Sequence, residues 1–280
     1  MNSCFSHIIL CTKTGNKQAD KLSLEISEWL RSCNVLVTRR DNRVEGRNLE
    51  LDANNPDLIL VLGGDGTMLS VARKSGLMEI PFLGINMGQV GFLADISPDE
   101  WQNQLQSILQ GKYYLSRRLL LGFRVLRGDQ VVFRGKAVNE LVVNRSGMAR
   151  LNRFDLQVDN GPVQKMRADG LIVSTPTGST AYNVSAGGPL VWPEMDAFIL
   201  TSICPFLQNF PPLVLGSGAE VQINITESNS GMYITVDGQA GHELVSGDIL
   251  HVYKASKKFN IITGGSDYFV AKLRDRGFLT

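Results

Sequence analysis

Residues 58–67 read Leu-Ile-Leu-Val-Leu-Gly-Gly-Asp-Gly-Thr. An apolar run ends at Leu62, glycines occupy 63, 64 and 66, and an amphipathic pattern starts at Met68-Leu69 and continues through Val71-Ala72. That order predicts a strand, a tight turn and a helix. Glycines in such a turn let backbone N–H groups approach an anion, and the helix N-terminus adds partial positive charge. Gly63, Gly64, Gly66 and Thr67 are therefore candidate phosphate contacts. Asp65 does not fit a phosphate cradle, because a carboxylate repels phosphate. It is better suited to orienting or deprotonating a hydroxyl that attacks phosphorus, or to helping hold a metal. The plain alternative is a strand–helix turn with an acid in the first helical turn.

The segments around this turn alternate in the same way. His7–Cys11 reads as a buried strand, and 17–32 as a helix with Ala19, Leu22, Ile26, Trp29 and Leu30 on one face. Asn34–Thr38 reads as a strand, 39–55 as a polar loop or short helix, and Ile80–Ile85 as a further strand. Ser97-Pro98-Asp99-Glu100 carries a cap, a proline at the first position and an acid three residues after the cap, which predicts a helix from there to about Gln110, stopped by Gly111. Strand–helix alternation implies a parallel sheet flanked by helices, a Rossmann-like arrangement.

Near residue 115 the pattern changes. Leu119–Phe133 reads as two strands around Gly128-Asp129, and Phe154–Gln164 as two more around Asn160-Gly161. Val221–Ile225, Tyr233–Val236 and Ile249–Tyr253 are further strands, with no helix of comparable quality between them. This half is expected to be an antiparallel β-sandwich. The expected division is 1–115 for the α/β domain, joined by a returning tail at 261–280, and 116–260 for the β domain. The short linker suggests that the domains pack and share a site.

Two constellations fall in the β half. Asn139-Glu140 is an adjacent amide and carboxylate, suited to a sugar diol because a carboxylate accepts from both hydroxyls; a polar kink between strands is the plain alternative. Arg167-Ala-Asp169-Gly leads through Leu171-Ile-Val173 into Ser174-Thr-Pro-Thr-Gly-Ser-Thr-Ala-Tyr-Asn183 and Ser185-Ala-Gly-Gly-Pro189. Hydroxyls, small residues and glycines in one run bring backbone close to a flat ligand; the alternative is a long irregular surface loop. Arg167 suits a phosphate and Asp169 an amine or hydroxyl donor. Phe92, in the glycine-rich stretch Gly88–Phe92, suits base stacking or the core.

Composition narrows the partners. The 280 residues are 43% hydrophobic and carry a formal net charge of +1, which gives no support to a nucleic-acid or anionic-membrane partner. Cysteines at 4, 11, 33 and 204 lack metal-ligand spacing and argue for a reducing compartment. His7, His242 and His251 form no motif. No signal pattern or membrane-length apolar run is present, so a cytoplasmic protein is expected.

Taken together, the motifs resemble those of the NAD kinases, within the diacylglycerol-kinase and phosphofructokinase superfamily. Gly63-Gly-Asp-Gly-Thr67 is shared across that superfamily. Asn86-Met-Gly-Gln-Val-Gly-Phe-Leu-Ala-Asp95, Asn139-Glu140, Asp169–Asn183, Ser185–Pro189 and Val236-Asp-Gly-Gln239, in this order, are similar to NAD kinases specifically. The resemblance implies ATP-dependent phosphorylation of the adenosine-ribose 2′-hydroxyl of NAD, an NAD site between an α/β domain and a β-sandwich, magnesium or another divalent metal accompanying the nucleotide, and a homodimer or homotetramer. It implies Asp65 as the catalytic aspartate, with Gly66 its phosphate-contacting neighbour. It implies NAD contacts at Asn139, Glu140, Arg150, Arg167, Asp169, Thr180, Ala181, Tyr182, Asn183, Ser185 and Gln239. The chain departs from the family after Ile203-Cys-Pro205, where Phe206 and Pro211 stand in place of a common His and Arg. A lipid or sugar-phosphate kinase of the superfamily and a non-catalytic NAD(P) sensor are the competing readings. The former lacks a membrane-facing element in this sequence; the latter would have no use for Asp65.

Overall fold

The computed structural model describes residues 3–42, 56–75, 79–88, 91–145, 152–206, 210–227, 231–265 and 268–279. The chain divides into two compact units, Met1–Arg117 with Phe259–Thr280, and Arg118–Lys258.

The first unit opens with β1 (His7–Lys13), α1 (Lys17–Ser32) and β2 (Leu36–Asn42). Six of the seven residues of β1 are buried, the signature of a central parallel strand covered on both faces. Asn16 caps α1 by accepting the Gln18 and Ala19 N–H groups at 3.0 and 3.1 Å. Ala19, Ile26 and Leu30 form its buried face, with Leu22 and Trp29 packed alongside. Asn34 adopts φ 61, so it closes a turn, and β2 starts two residues later than the sequence suggests. β2 also takes in 39–42 of the polar stretch; residues 43–55 lie outside the described residues.

β3 (Leu58–Leu62), α2 (Asp65–Lys74), β4 (Phe82–Ile85), α3 (Trp101–Leu109) and β5 (Tyr114–Arg118) follow. α2 begins at Asp65, ahead of the apolar pattern that announces it. α3 begins at Trp101, not at Pro98, because the capping signature is used for a turn. Glu100 N–H donates to Ser97 O at 3.1 Å, and the first α-type bond runs from Gln104 N–H to Glu100 O. The stop at Gly111 is real: its φ is +78, and Lys112 N–H reaches back to Ser107 O at 3.0 Å.

The second unit is built of β6 (Leu121–Arg127), β7 (Gln130–Ala137), β8 (Glu140–Arg145), β9 (Asn152–Val158), β10 (Gln164–Ala168) and β11 (Gly170–Ser174). Next come a 3₁₀ turn (Thr177–Thr180), the one-turn helix α4 (Tyr182–Ser185), β12 (Ala197–Ile203), β13 (Leu213–Gly216), β14 (Val221–Glu227), β15 (Met232–Val236), β16 (Ala240–Leu244) and β17 (Ile249–Lys254). They form two six-stranded sheets, ordered β10-β9-β14-β17-β6-β7 and β13-β12-β11-β8-β15-β16. Neighbouring strands run antiparallel. Phe123, Phe154, Leu156 and Ile223 from one sheet share a core with Leu141, Leu171, Phe198 and Ile234 from the other, which makes the sandwich. The Gly128 hairpin tip has φ +58.

The chain then returns to the first unit as β18 (Phe259–Thr263) and α5 (Tyr268–Asp275). The sheet there is ordered β2-β1-β3-β4-β18-β5, with β1 parallel to β2 and β3, and β4 parallel to β3 and β18. An α/β unit with a largely parallel sheet and an antiparallel sandwich unit together make up the fold.

Candidate functional site

The glycine turn of the first unit joins β3 to α2. Gly64 is the N-cap of α2 and makes no side-chain cap bond; a helix N-terminus carries the partial positive charge that favours an anion. The glycines differ in what they do for the fold. A Cβ on Gly63 would lie 2.5 Å from Thr67 Oγ1, so Gly63 makes room for the buried Thr67. A Cβ on Gly64 would meet nothing within 4 Å among the described residues. That leaves room for a ligand to approach the backbone there.

Asp65 is held by a neighbouring loop. Its Oδ1 accepts the Leu93 and Ala94 N–H groups at 2.9 and 3.0 Å, and its Oδ2 accepts Phe92 N–H at 2.7 Å. A carboxylate has about four lone-pair positions; among the described residues one remains without a donor, on Oδ2. Asp65 therefore presents a single fixed acceptor direction, which suits aiming a hydroxyl. Gly91 precedes this run of amides, and a Cβ there would fall 1.9 Å from Asp65 Oδ1. Gly84 of β4 permits the approach of the loop, since its Cβ would lie 2.6 Å from Ala94 Cα.

In the second unit a matching device holds Asn139-Glu140. Asp237 accepts the N–H groups of Val138, Asn139 and Glu140 at 3.0, 2.7 and 3.1 Å. Asp237 and Gly238 have φ 50 and 62 at the tip of the β15–β16 hairpin. On the opposite side Thr175 Oγ1 donates to Val138 O at 2.6 Å, and Thr175 N–H donates to Asn139 O at 2.8 Å. Gly178 lies so close that its Cβ would be 2.3 Å from Asn139 O. At this braced corner Asn139 Oδ1, Glu140 Oε2 and Thr177 Oγ1 are buried with no hydrogen-bond partner among the described residues. Buried polar atoms are normally satisfied, so these three make the corner a candidate place for a polar ligand.

Burial, with the Asp237 charge adding to it, pushes the Glu140 carboxyl from 4.5 up to about 8. The folded chain then keeps a proton that the unfolded chain releases from about pH 4.5 upward. Glu140 therefore lends stability that is full below 4.5 and lost as pH rises through about 8. Glu140→Gln is expected to flatten the fall of the melting temperature across that window in ligand-free protein; an unchanged pH profile would remove Glu140 as its source.

Residues 8–113 match the family model for the ATP-NAD kinase N-terminal domain, and residues 138–264 match that for the ATP-NAD kinase C-terminal domain. The NAD kinase of Nitratidesulfovibrio vulgaris (strain DP4) is 43% identical over 272 residues, covering 97% of this chain and 91% of that one. The NAD kinase of Geobacter metallireducens is 38% identical over 268 residues, covering 94% and 95%. The chain belongs to the NAD kinase family. Among solved structures, an NAD kinase from Archaeoglobus fulgidus in complex with ATP superimposes with a TM-score of 0.79 at 26% identity, covering 98% of this chain and all of that one. Yeast NADH kinase complexed with NADH gives a TM-score of 0.87 at 24% identity, over 100% of this chain and 92% of that one, and shares the fold.

The other residues suggested by the NAD kinase motifs occupy varied settings. Asp169 stands where the chain passes from β10 to β11, and pairs with Arg145 at 3.2 Å. Arg167 lies on β10 with its guanidinium 5.1 Å from the ring centre of Phe206, a cation–π contact. Thr180 and Ala181 end the 3₁₀ turn, Tyr182 and Ser185 are exposed on α4, and Gln239 closes the hairpin tip with its N–H on Val236 O. Asn183 is turned inward. Its amide donates to Ser179 O and Pro189 O and accepts from Thr201 Oγ1 at 2.7 Å, so its side chain binds the loop to itself. The run 171–179 is buried, so the surface-loop alternative fails for its first part; in the second part Tyr182, Ser185 and Gly187 are exposed. Phe92 packs beside Phe269 and Phe278. Arg150 and 207–209 of the unusual segment lie outside the described residues.

Sequence reasoning missed two residues of the site's framework. Asp237 stood inside a recognised motif without a role; an acid before glycine at a hairpin tip was its only signal. Lys272 drew no reading at all, although a lysine next to Leu273 and three residues after Phe269 falls on the apolar face of α5.

Among the described residues no three His, Cys, Asp or Glu side chains gather to hold a metal. Magnesium is commonly held by one or two carboxylates together with substrate phosphates. The lack of such a cluster among the described residues, beside a helix N-terminus without a side-chain cap, fits a magnesium carried on nucleotide phosphates, not a protein cage.

Proposed function

We propose that this chain transfers the terminal phosphoryl group of ATP to the adenosine-ribose 2′-hydroxyl of NAD, giving NADP and ADP, with Asp65 as the catalytic residue. The observation that carries the reading is the Asp65 carboxylate at the N-terminus of α2, pinned by three amides with one acceptor direction left among the described residues. Family membership supplies the substrates.

In this reading Asn139 and Glu140 receive the ribose hydroxyls, which accounts for the unsatisfied Asn139 Oδ1 and Glu140 Oε2. Asp169, Thr180, Ala181, Tyr182, Ser185 and Gln239 complete the dinucleotide contacts, and Arg167 and Arg150 meet its charge. The Gly63–Thr67 turn faces the phosphates. Asp65 accepts a hydrogen bond from the 2′-hydroxyl at Oδ2, aims it in line and takes its proton late. Little deprotonation is needed early if the phosphoryl transition state is loose. Magnesium, bound with ATP, would offset charge on the phosphates, as the amides of the turn do.

The reading includes a homodimer or homotetramer working in the cytoplasm. Exposed Leu213 and Val214 on the edge strand β13 favour association, and no described helix is long and apolar enough to cross a membrane. Purified protein given NAD, ATP and magnesium is expected to form NADP, read with an NADP-specific dehydrogenase, and to run above the monomer mass by light scattering. Folded protein that binds NAD and forms no NADP, with ATP or with polyphosphate, would overturn the assignment in favour of a sensor.

A further inference from the structure

The loop that holds Asp65 is itself held. Lys272 of α5 is 3% exposed, and its Nζ donates to Gly91 O at 2.7 Å and pairs with Asp95 Oδ1 at 3.4 Å. The same ammonium lies 4.6 Å from the ring centre of Tyr268. Asp95 Oδ2 in turn accepts Gly264 N–H at 3.2 Å. Gly91 and Asp95 bracket the run Phe92-Leu93-Ala94 whose amides grip Asp65.

A buried lysine is a poor choice for merely fixing a helix. Removing an ammonium from water is costly unless it is paired and hydrogen-bonded, and Leu273 already gives α5 an apolar anchor. Here burial pulls the Lys272 ammonium down and pushes the Asp95 carboxyl up, each opposed by the charge of the other. Among the described residues the hydrogen-bond and ion-pair partners of Lys272 stand at the two ends of one short loop.

We infer that Lys272 is a positioning residue for Asp65: by clamping Gly91 and Asp95 it fixes the three amides between them, and through those amides the direction of the one acceptor that meets the hydroxyl. The inference rests on the role of Asp65 proposed above. It places a determinant of the chemistry on an element 207 positions away in sequence (272 − 65).

The test is a kinetic cycle on the full chain: wild type, Lys272→Met, Asp65→Asn and the double variant. Lys272→Met keeps the apolar stem and removes Nζ. A misplacement of about 1 Å can cost on the order of 100-fold, so kcat is expected to fall by roughly 10- to 100-fold, with KM for NAD within a few-fold. The double variant should be no slower than Asp65→Asn, because a misaimed carboxylate matters only while there is a carboxylate. Should Lys272→Met fail to fold, Asp95→Asn goes through the same cycle with the same expectation. An unimpaired kcat, or a double variant slowed by the product of the two single effects, would overturn the inference while leaving wild-type activity intact. A wild type that makes no NADP would sink the function reading itself, and this inference with it.

Discussion

Asp65→Asn is expected to lower kcat for NADP formation by about 100- to 10,000-fold, the usual worth of a positioned acid–base group, while NAD binding measured by calorimetry persists. The substitution keeps the shape but reverses the chemistry at one atom. An Asn side chain can keep its oxygen at the Oδ1 position, where Leu93 and Ala94 donate. Its NH₂ then occupies the Oδ2 position, facing the Phe92 N–H that lies 2.7 Å from that atom in the native protein. Two donors oppose each other there, and the nitrogen has no lone pair for a hydroxyl. Aim and acceptor are lost together, whereas the other groups assigned to NAD, in the second unit, are untouched. Activity within a few-fold of wild type would strip Asp65 of its role.

Gly91→Ala should come close to the same loss without altering any functional group. The added methyl would occupy the place of Asp65 Oδ1, only 1.9 Å away. The obstructing atom is the tip of a side chain, so the fold has an escape: Asp65 swings aside. That rotamer gives up three charge-assisted bonds, each worth about 1.5–3 kcal/mol, and points the carboxylate elsewhere. The expected outcome is a folded but less stable protein with kcat down by about 100-fold or more, in line with misplaced catalytic groups. Circular dichroism and NAD calorimetry establish that the variant is intact. Wild-type turnover would mean that the carboxylate works from more than one direction, and the pinned geometry would lose its significance.

Much of this was readable from the residues. The β3–turn–α2 unit is local: an apolar run, glycines and an amphipathic stretch lie within 17 residues, from Leu58 to Lys74. Hairpins at Gly128 and Asn160-Gly161 are local too. Boundaries erred where one signature serves two structures. Ser97-Pro98-Asp99-Glu100 caps a turn as readily as a helix, and Asn34 fits a strand until its φ of 61 is seen. What the sequence concealed is the support around each acid. Asp65 and Asp237 bind main-chain amides 27–29 and 97–99 residues away. Every residue except proline owns such an amide, so composition cannot point to it. Lys272 is hidden for the same reason, since its partner at Gly91 is a carbonyl, 181 residues away. The inward turn of Asn183 was likewise invisible, because an amide among hydroxyls looks equally ready for a ligand or for its own loop.

The path of the chain has a consequence for the order in which the molecule is made. β18 lies between β4 and β5 in the finished sheet, yet a ribosome reaches it only after the whole of Arg118–Lys258. Until then β4 and β5 lack the neighbour that joins them, and the nascent first unit carries an interrupted sheet with unpaired strand edges, the kind of surface that invites aggregation. The sandwich, one uninterrupted stretch of chain, can close first. The unit translated earlier is thus completed later, and the lysine that steadies Asp65 arrives with its closing segment.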